Sequence, residues 1–170
     1  MLELILSGQL SKDEAIDYFL DHYDEKVQGE PPSKQVADGF FDKTLSYLQV
    51  FSFPYTDILA TEKEVRFELD GKPFVGYIDV LARDGNDLLI IDHKSHGLRE
   101  RSGRATPTKY DMELDDYLRQ QYLYSIPIYE LFGQFPATLS FNCYRFGRFI
   151  KEPFDKARLE ETKQWALQRI

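Results

Sequence analysis

The stretch GYIDVLARDGNDLLIIDHKS, residues 76–95, sets Asp79, Asp92 and Lys94 among apolar neighbours. A charge in an apolar strand costs free energy unless it is paired or holds an ion. Asp79 lies six residues before Gly85 and Asp92 seven after it. With Gly85 in the turn of an antiparallel hairpin, such positions are opposite or diagonal neighbours. Asp92 and Lys94 are two residues apart and share one strand face. Like charges this close raise one another's pKa, and a hard divalent cation relieves the repulsion. One or two carboxylates, a backbone carbonyl and several waters describe a magnesium site. The carbonyl of His93 is a candidate extra ligand, and Glu62 or Glu64, on the polar face of the preceding strand, offers a third carboxylate. A lysine ammonium beside the ion could orient an attacking water or help deprotonate it. These are the parts that metal-assisted hydrolysis of a phosphodiester needs. The plainer alternative is a buried ion pair or a solvated charged face, which a hydrophobic replacement would serve as well.

The elements that must position these groups are legible in outline. Ser11-Lys-Asp-Glu14 is a capping-box pattern, and KDEAIDYFLDHYDEKV continues it with helical periodicity. GEPPS breaks that helix, and Ser33 caps a second one to about Tyr47. From Ile58 to Leu69 the pattern alternates, with Val65, Phe67 and Leu69 on one face and Glu62, Glu64, Arg66 and Glu68 on the other. Asp70-Gly71 is a hairpin signal. Strands follow over Phe74–Ala82 and Leu88–Lys94, joined by RDGND, so an antiparallel meander is expected. A Gly/Ser-rich loop, expected to be mobile, then leads into a long amphipathic helix, DMELDDYLRQQYLYSIPIYELFG, with a kink expected at Pro127 and an end at Gly133. ATLSFNCYRFGRFIKEPF gives one or two strands with a turn at Gly147, and Asp155 caps a C-terminal helix. The order αα-βββ-α-ββ-α predicts an α/β fold, a mixed sheet flanked by helices. One domain is expected: a helical part over 1–55, a core over 56–154 and a last helix over 155–170.

Composition narrows the function classes. The 170 residues, 42% hydrophobic and 29% charged, suit a globular domain with a substantial core. No apolar run approaches the roughly 20 residues that span a bilayer, and MLELILSGQL lacks the basic flank of a signal peptide. A cytoplasmic protein without a membrane partner is expected. The single cysteine, Cys143, excludes an internal disulfide framework and a Cys-rich zinc or iron–sulfur site. The formal charge of -8 argues against a simple nucleic-acid coat, yet it is uneven. Lys94, Arg99, Arg101, Arg104 and Lys109 against Glu100 make the segment 94–109 net +4, leaving -12 on the rest. Arg99, Arg101, Arg104 and Lys109 are therefore the candidate phosphate contacts. His93 and His96, flanking Lys94, read as polar residues at a strand end.

Taken together, Gly76-Tyr-Ile-Asp79, thirteen residues before Asp92-His-Lys94, resembles the PD-(D/E)xK nuclease superfamily, closest to its RecB-like exonuclease branch. TEKEVRFEL resembles the glutamate-bearing strand of that branch, and QQYLYS its helix motif, here Gln120 and Tyr124. The four elements occur in order across roughly residues 58–130. The resemblance implies a restriction-endonuclease-like core and a magnesium-dependent deoxyribonuclease, with manganese able to substitute. It implies Asp79, Asp92 and Glu62 as metal ligands, with Glu64 the rival for the third place, and Lys94 as the catalytic lysine. Gln120 and Tyr124 would stand near the active site. DNA is the implied substrate, in repair, recombination or phage DNA processing, with a helicase or recombination protein as a possible partner. The branch often carries a histidine on an N-terminal helix. His22 lies in LDHYDE, which does not match, and MLELILSG reads like the end of a helix, so that element is expected to be missing and activity reduced. The absence of a cysteine cluster excludes the iron–sulfur subgroup, including CRISPR-adaptation exonucleases. An exonuclease is favoured over a structure-directed endonuclease. The other class is a catalytically weak nuclease-like module that binds nucleic acid or a partner protein.

Overall fold

The computed structural model describes residues 1–26, 29 and 33–169. The expected helix break at GEPPS falls largely on residues 30–32, outside the described residues. Helices α1 (Leu2–Leu6), α2 (Lys12–Lys26) and α3 (Lys34–Gln49) precede strands β1 (Asp57–Leu69), β2 (Lys72–Asp84) and β3 (Asp87–His93). Helix α4 (Lys109–Phe132), strands β4 (Thr138–Cys143) and β5 (Arg148–Pro153), and helix α5 (Lys156–Leu167) complete the order.

Local chemistry starts these elements. The Ser11 hydroxyl accepts from Glu14 N–H at 3.2 Å while the Glu14 carboxylate accepts from Ser11 N–H at 2.8 Å, a closed capping box for α2. Ser33 caps α3 by accepting from Val36 N–H, and Asp155 caps α5 by accepting from Ala157 N–H. Helix α4 begins two residues before its expected start. Thr108 and Asp111 form its capping box, a threonine–carboxylate spacing that the acidic run after it obscured. Pro127 lies inside α4, which continues to Phe132 and stops at left-handed Gly133.

The strands form one mixed sheet in the order β1-β2-β3-β4-β5. β1, β2 and β3 are the antiparallel meander that the turn signals predicted. Asp70 and Gly71 both take positive φ, 49° and 72°, the backbone a two-residue hairpin turn requires. β4 runs parallel to β3 and antiparallel to β5. A parallel neighbour needs a crossover, which α4 supplies.

Both sheet faces are covered at the centre. Leu81, Leu88 and Ile90 pack under Leu114, Leu118 and Ile128 of α4 and Leu159 of α5. Val80, Ala82, Leu89 and Ile91 pack against Phe53, Tyr55, Phe149 and Leu6 on the other side. Two-sided burial is why LLII is an unbroken apolar run while the outer half of β1 alternates. The charged residues thus stand at the end of a strand that is dry on both faces.

Candidate active site

Strand β2 breaks its own alternation where the site begins. Ile78 and Leu81, three residues apart, pack in the core under α4, whereas Val80 packs in the opposite core. The strand therefore turns over between them. The β2–β3 ladder ends at Val80↔Ile91, and one step further Asp79 faces Asp92. There Asp79 Oδ2 accepts from His93 N–H at 2.7 Å, a carboxylate standing where the ladder would bring a carbonyl. On the other side, the pairs Thr61↔Val80 and Lys63↔Ile78 bracket Glu62 and Asp79 as facing positions. Glu62 has φ 46°, a left-handed conformation that costs a non-glycine residue roughly 1–2 kcal/mol. One row across three strands thus carries Glu62, Asp79 and Asp92.

Lys94 closes the row. Its Nζ is 2.8 Å from Asp92 Oδ2, with the side chains only 17% and 15% exposed. The two groups meet in distance but not in hydrogen-bond direction, so this buried Oδ2 has no aligned donor. Burial raises the Asp92 pKa above the usual carboxylate value; Asp79 adds to the effect and Lys94 opposes it. Partial desolvation likewise raises Glu62, with the charges of Asp79 and Glu3 pushing the same way. Opposite Asp92, the Lys94 ammonium stands 4.7 Å from the ring centre of Tyr117 on α4. His96 packs on that ring at 5.2 Å, its Nε2 buried and without a partner. The sequence reading missed Tyr117. Its signal was position, since it precedes Gln120 by three residues and Tyr124 by seven, one helix stripe.

The two candidate third acids separate cleanly. Glu64 bonds Arg66 Nε at 2.6 Å and the Tyr77 hydroxyl at 2.9 Å, and these partners lower its pKa. It belongs to a surface network, while Glu62 faces Asp79. The His93 imidazole turns to the other sheet face, where Nδ1 meets Asn142 Nδ2 at 3.1 Å and the ring lies 6.3 Å from Phe53. Burial lowers its pKa, which favours the neutral ring. His22 stacks on Tyr18 within α2.

Gln120 and Tyr124 are partners, Nε2 donating to the hydroxyl at 2.8 Å, and Tyr124 lies on Gly76 of β2. A Cβ at Gly76 would stand 2.6 Å from the Tyr124 hydroxyl oxygen and closer still to its ring. The glycine of GYID is thus a close-approach residue that lets α4 settle on β2. Overpacking of this kind costs about 1–3 kcal/mol. Gly76→Ala is expected to lower the urea midpoint accordingly, and an unchanged midpoint would show that the helix gives way freely.

The basic loop is tied down, not loose. Leu98 is buried in the core. Arg101 bonds Asp115 and Glu152, each at 2.5 Å, and Arg158 also pairs with Asp115. Ser102 donates to buried Asp111 through its N–H and its hydroxyl, both at 2.8 Å. The Thr108 hydroxyl, with these donors, holds the Asp111 carboxyl well below the usual carboxylate range. The expectation of mobility counted glycines and serines and could not see these anchors. Arg101 is taken up by carboxylates, whereas Arg99 and Arg104 are exposed and Lys109, also exposed, lies 4.9 Å from the Tyr110 ring centre.

Among the described residues no group of three or more His, Cys, Asp and Glu side chains is drawn onto one point in metal-holding geometry. The donor chemistry nevertheless suits a hard cation: adjacent carboxylates, one with a raised pKa and an oxygen lacking an aligned donor. No described helix is long and apolar enough to cross a membrane. Compared with known proteins, the chain matches no family model and no curated sequence.

Proposed function

We propose that the chain is a divalent-metal-dependent deoxyribonuclease with a restriction-endonuclease-like core, acting as an exonuclease in DNA repair, recombination or phage DNA processing. The observation that carries this reading is the row Glu62–Asp79–Asp92 across three strands, with Lys94 paired to Asp92 at 2.8 Å. Glu62, Asp79, Asp92 and the His93 carbonyl would hold magnesium, or manganese in its place. Glu62 is the exposed member and can swing toward the other two without disturbing packing. When bound, the ion supplies Lewis-acid polarisation of a phosphoryl oxygen.

The protein's own residues do the rest. Asp79, fixed by His93 N–H, sets the distance between β2 and β3 where they part. Lys94, held between Asp92 and Tyr117, donates to a water or to the phosphate and stabilises the negative charge that develops there. Arg99, Arg104 and Lys109 provide sequence-independent phosphate contacts from the loop that follows Lys94. Arg101 positions that loop. The test is cleavage of end-labelled DNA, single- and double-stranded, linear and circular, with magnesium, manganese or chelator. Linear DNA is expected to be degraded in either metal and spared in chelator. Cutting of closed circles would replace exonuclease with endonuclease, and no cutting of any substrate would leave a binding module.

A further inference from the structure

Arg99, Arg104 and Lys109 are not the only cations outside ion pairs; a second group lies away from the basic loop. Among the described residues Lys43, Arg145 and Arg148 form no salt bridge, whereas Arg66, Arg101, Arg119, Arg158 and Lys163 all do. These three cations line two adjoining hollows of about 330 and 310 Å³ between α3, the 3-10 turn Tyr144–Phe146 and β5, sharing Tyr47, Val50 and Gly147; Arg148 Nη1 also donates to the Leu98 carbonyl at 2.9 Å. Exposed aromatic rings stand beside them. Phe40 is 41% and Phe146 54% exposed. The Arg145 guanidinium lies 4.2 Å from the Phe40 ring centre and Lys43 Nζ 5.6 Å from that of Phe146. Buried Arg145 Nε has no hydrogen-bond partner. Asp42 is the one carboxylate among the residues that line the hollows.

This groove runs up to the candidate site. Asn142 Nδ2 donates to the Tyr47 hydroxyl at 2.8 Å and meets His93 Nδ1 at 3.1 Å, while the Asn142 carbonyl accepts from Lys94 N–H at 2.9 Å. Phe146 lies over Gly97, three residues beyond Lys94, where a Cβ would sit 3.3 Å from its ring. One end of the groove therefore abuts the backbone that carries Asp92, His93 and Lys94.

We infer that the groove between α3, Tyr144–Phe146 and β5 binds single-stranded DNA and leads it to the site. The inference rests on the nuclease reading for its direction and on the groove for its chemistry. Exposed rings beside cations that no carboxylate neutralises are what a single strand requires: faces on which bases stack and charges that follow the phosphates. A duplex keeps its bases stacked inside and offers nothing to Phe40 and Phe146.

The test is binding of a fluorescent 30-nucleotide dT strand and a 30-base-pair duplex to the full chain in chelator, where cleavage is blocked. The single strand is expected to bind more tightly. Phe146→Ala should weaken it roughly fivefold to a hundredfold, the range for loss of one stacking platform. Arg145→Ala should reduce the slope of log affinity against log salt by roughly 0.7, the share of one phosphate on a single strand. Leu131→Ser, on the exposed far end of α4, should leave binding unchanged; Phe146 is exposed and Arg145 half-buried, and circular dichroism checks the folding of both variants. Equal binding of duplex and single strand, or single-strand binding that neither groove variant weakens, overturns the inference. Because cleavage plays no part, a chain that never cuts DNA can still support the groove, and an active nuclease can still refute it.

Discussion

Asp92→Ala is expected to abolish magnesium-dependent cleavage of DNA, and Asp79→Asn to do the same while keeping the bond to His93 N–H through its amide oxygen. The two variants remove charge from the row in different ways. Asp92→Ala deletes a buried carboxylate and its ion pair, whereas Asp79→Asn preserves shape and acceptor geometry and changes only the charge. Loss of activity in both, with native circular dichroism, isolates charge as the requirement. Melting supplies an independent readout. A ligand at ten times its Kd stabilises by about 1.4 kcal/mol, which for this size of domain raises Tm by roughly 3–6 °C. Wild type is expected to show that rise in magnesium, and Asp79→Asn to show none. The pH dependence has a definite sign. Burial raises the folded Asp92 pKa, so in chelator the folded state keeps this proton after the unfolded chain has lost it. Stability then falls as pH climbs from the unfolded carboxyl value of about 4 through the raised folded value. Metal binding needs the ionised form, so the magnesium-induced rise should grow over the same window. Wild-type cleavage by Asp92→Ala would sink the mechanism.

How much of this was legible in sequence divides by physical range. Nearest-neighbour signals carried the meander. Asp70-Gly71 and the alternation of Val65, Phe67 and Leu69 are local, and β1 and β2 pair as they require. Counting outward from Gly85 made Asp79 and Asp92 opposite or diagonal neighbours, because a tight hairpin turn sets register, and the observed ladder makes them opposite. Counting could not choose between Glu62 and Glu64, which share a face in an ideal strand. Groups distant in sequence separate the two: Tyr77 takes Glu64, and Glu62 faces Asp79 across the ladder. The pairing of Arg101 with carboxylates was hidden for a similar reason. Its partners Asp115 and Glu152 stand on α4 and β5, and composition of the loop alone carries no record of them. The role of Gly76 was hidden too, since it depends on a ring from a helix 48 residues on. The groove cations were missed because the count of charge stopped at the loop after Lys94, while Lys43, Arg145 and Arg148 gather from α3 and the region around β5.

Lys94→Ala is expected to lower kcat by a factor of roughly 10²–10⁴, the scale for a positioned proton-handling group, with a much smaller change in KM. The geometry explains why the loss should fall on turnover. Lys94 is largely buried beside Asp92, at the end of β3, whereas Arg99, Arg104 and Lys109 are exposed, so on the nuclease reading ground-state grip on the DNA backbone falls to them. A group that acts on charge developing in the transition state lowers kcat when removed and leaves ground-state binding nearly intact. Lys94→Arg should rescue little. The ammonium fits between a carboxylate and the face of Tyr117, 4.7 Å away, and a planar guanidinium places its donors differently. Tyr117→Leu keeps the ammonium but removes the ring that attracts it, a contact worth about 0.5–2 kcal/mol. It should therefore cost turnover only a few-fold to about thirtyfold. The order wild type, Tyr117→Leu, Lys94→Ala in single-turnover rate is the signature of a lysine held in place by Tyr117 and acting on the reacting phosphate. Equal rates for Lys94→Ala and wild type would instead make Lys94 the structural counter-ion of Asp92, because an ion pair that serves only the fold can be lost without slowing chemistry.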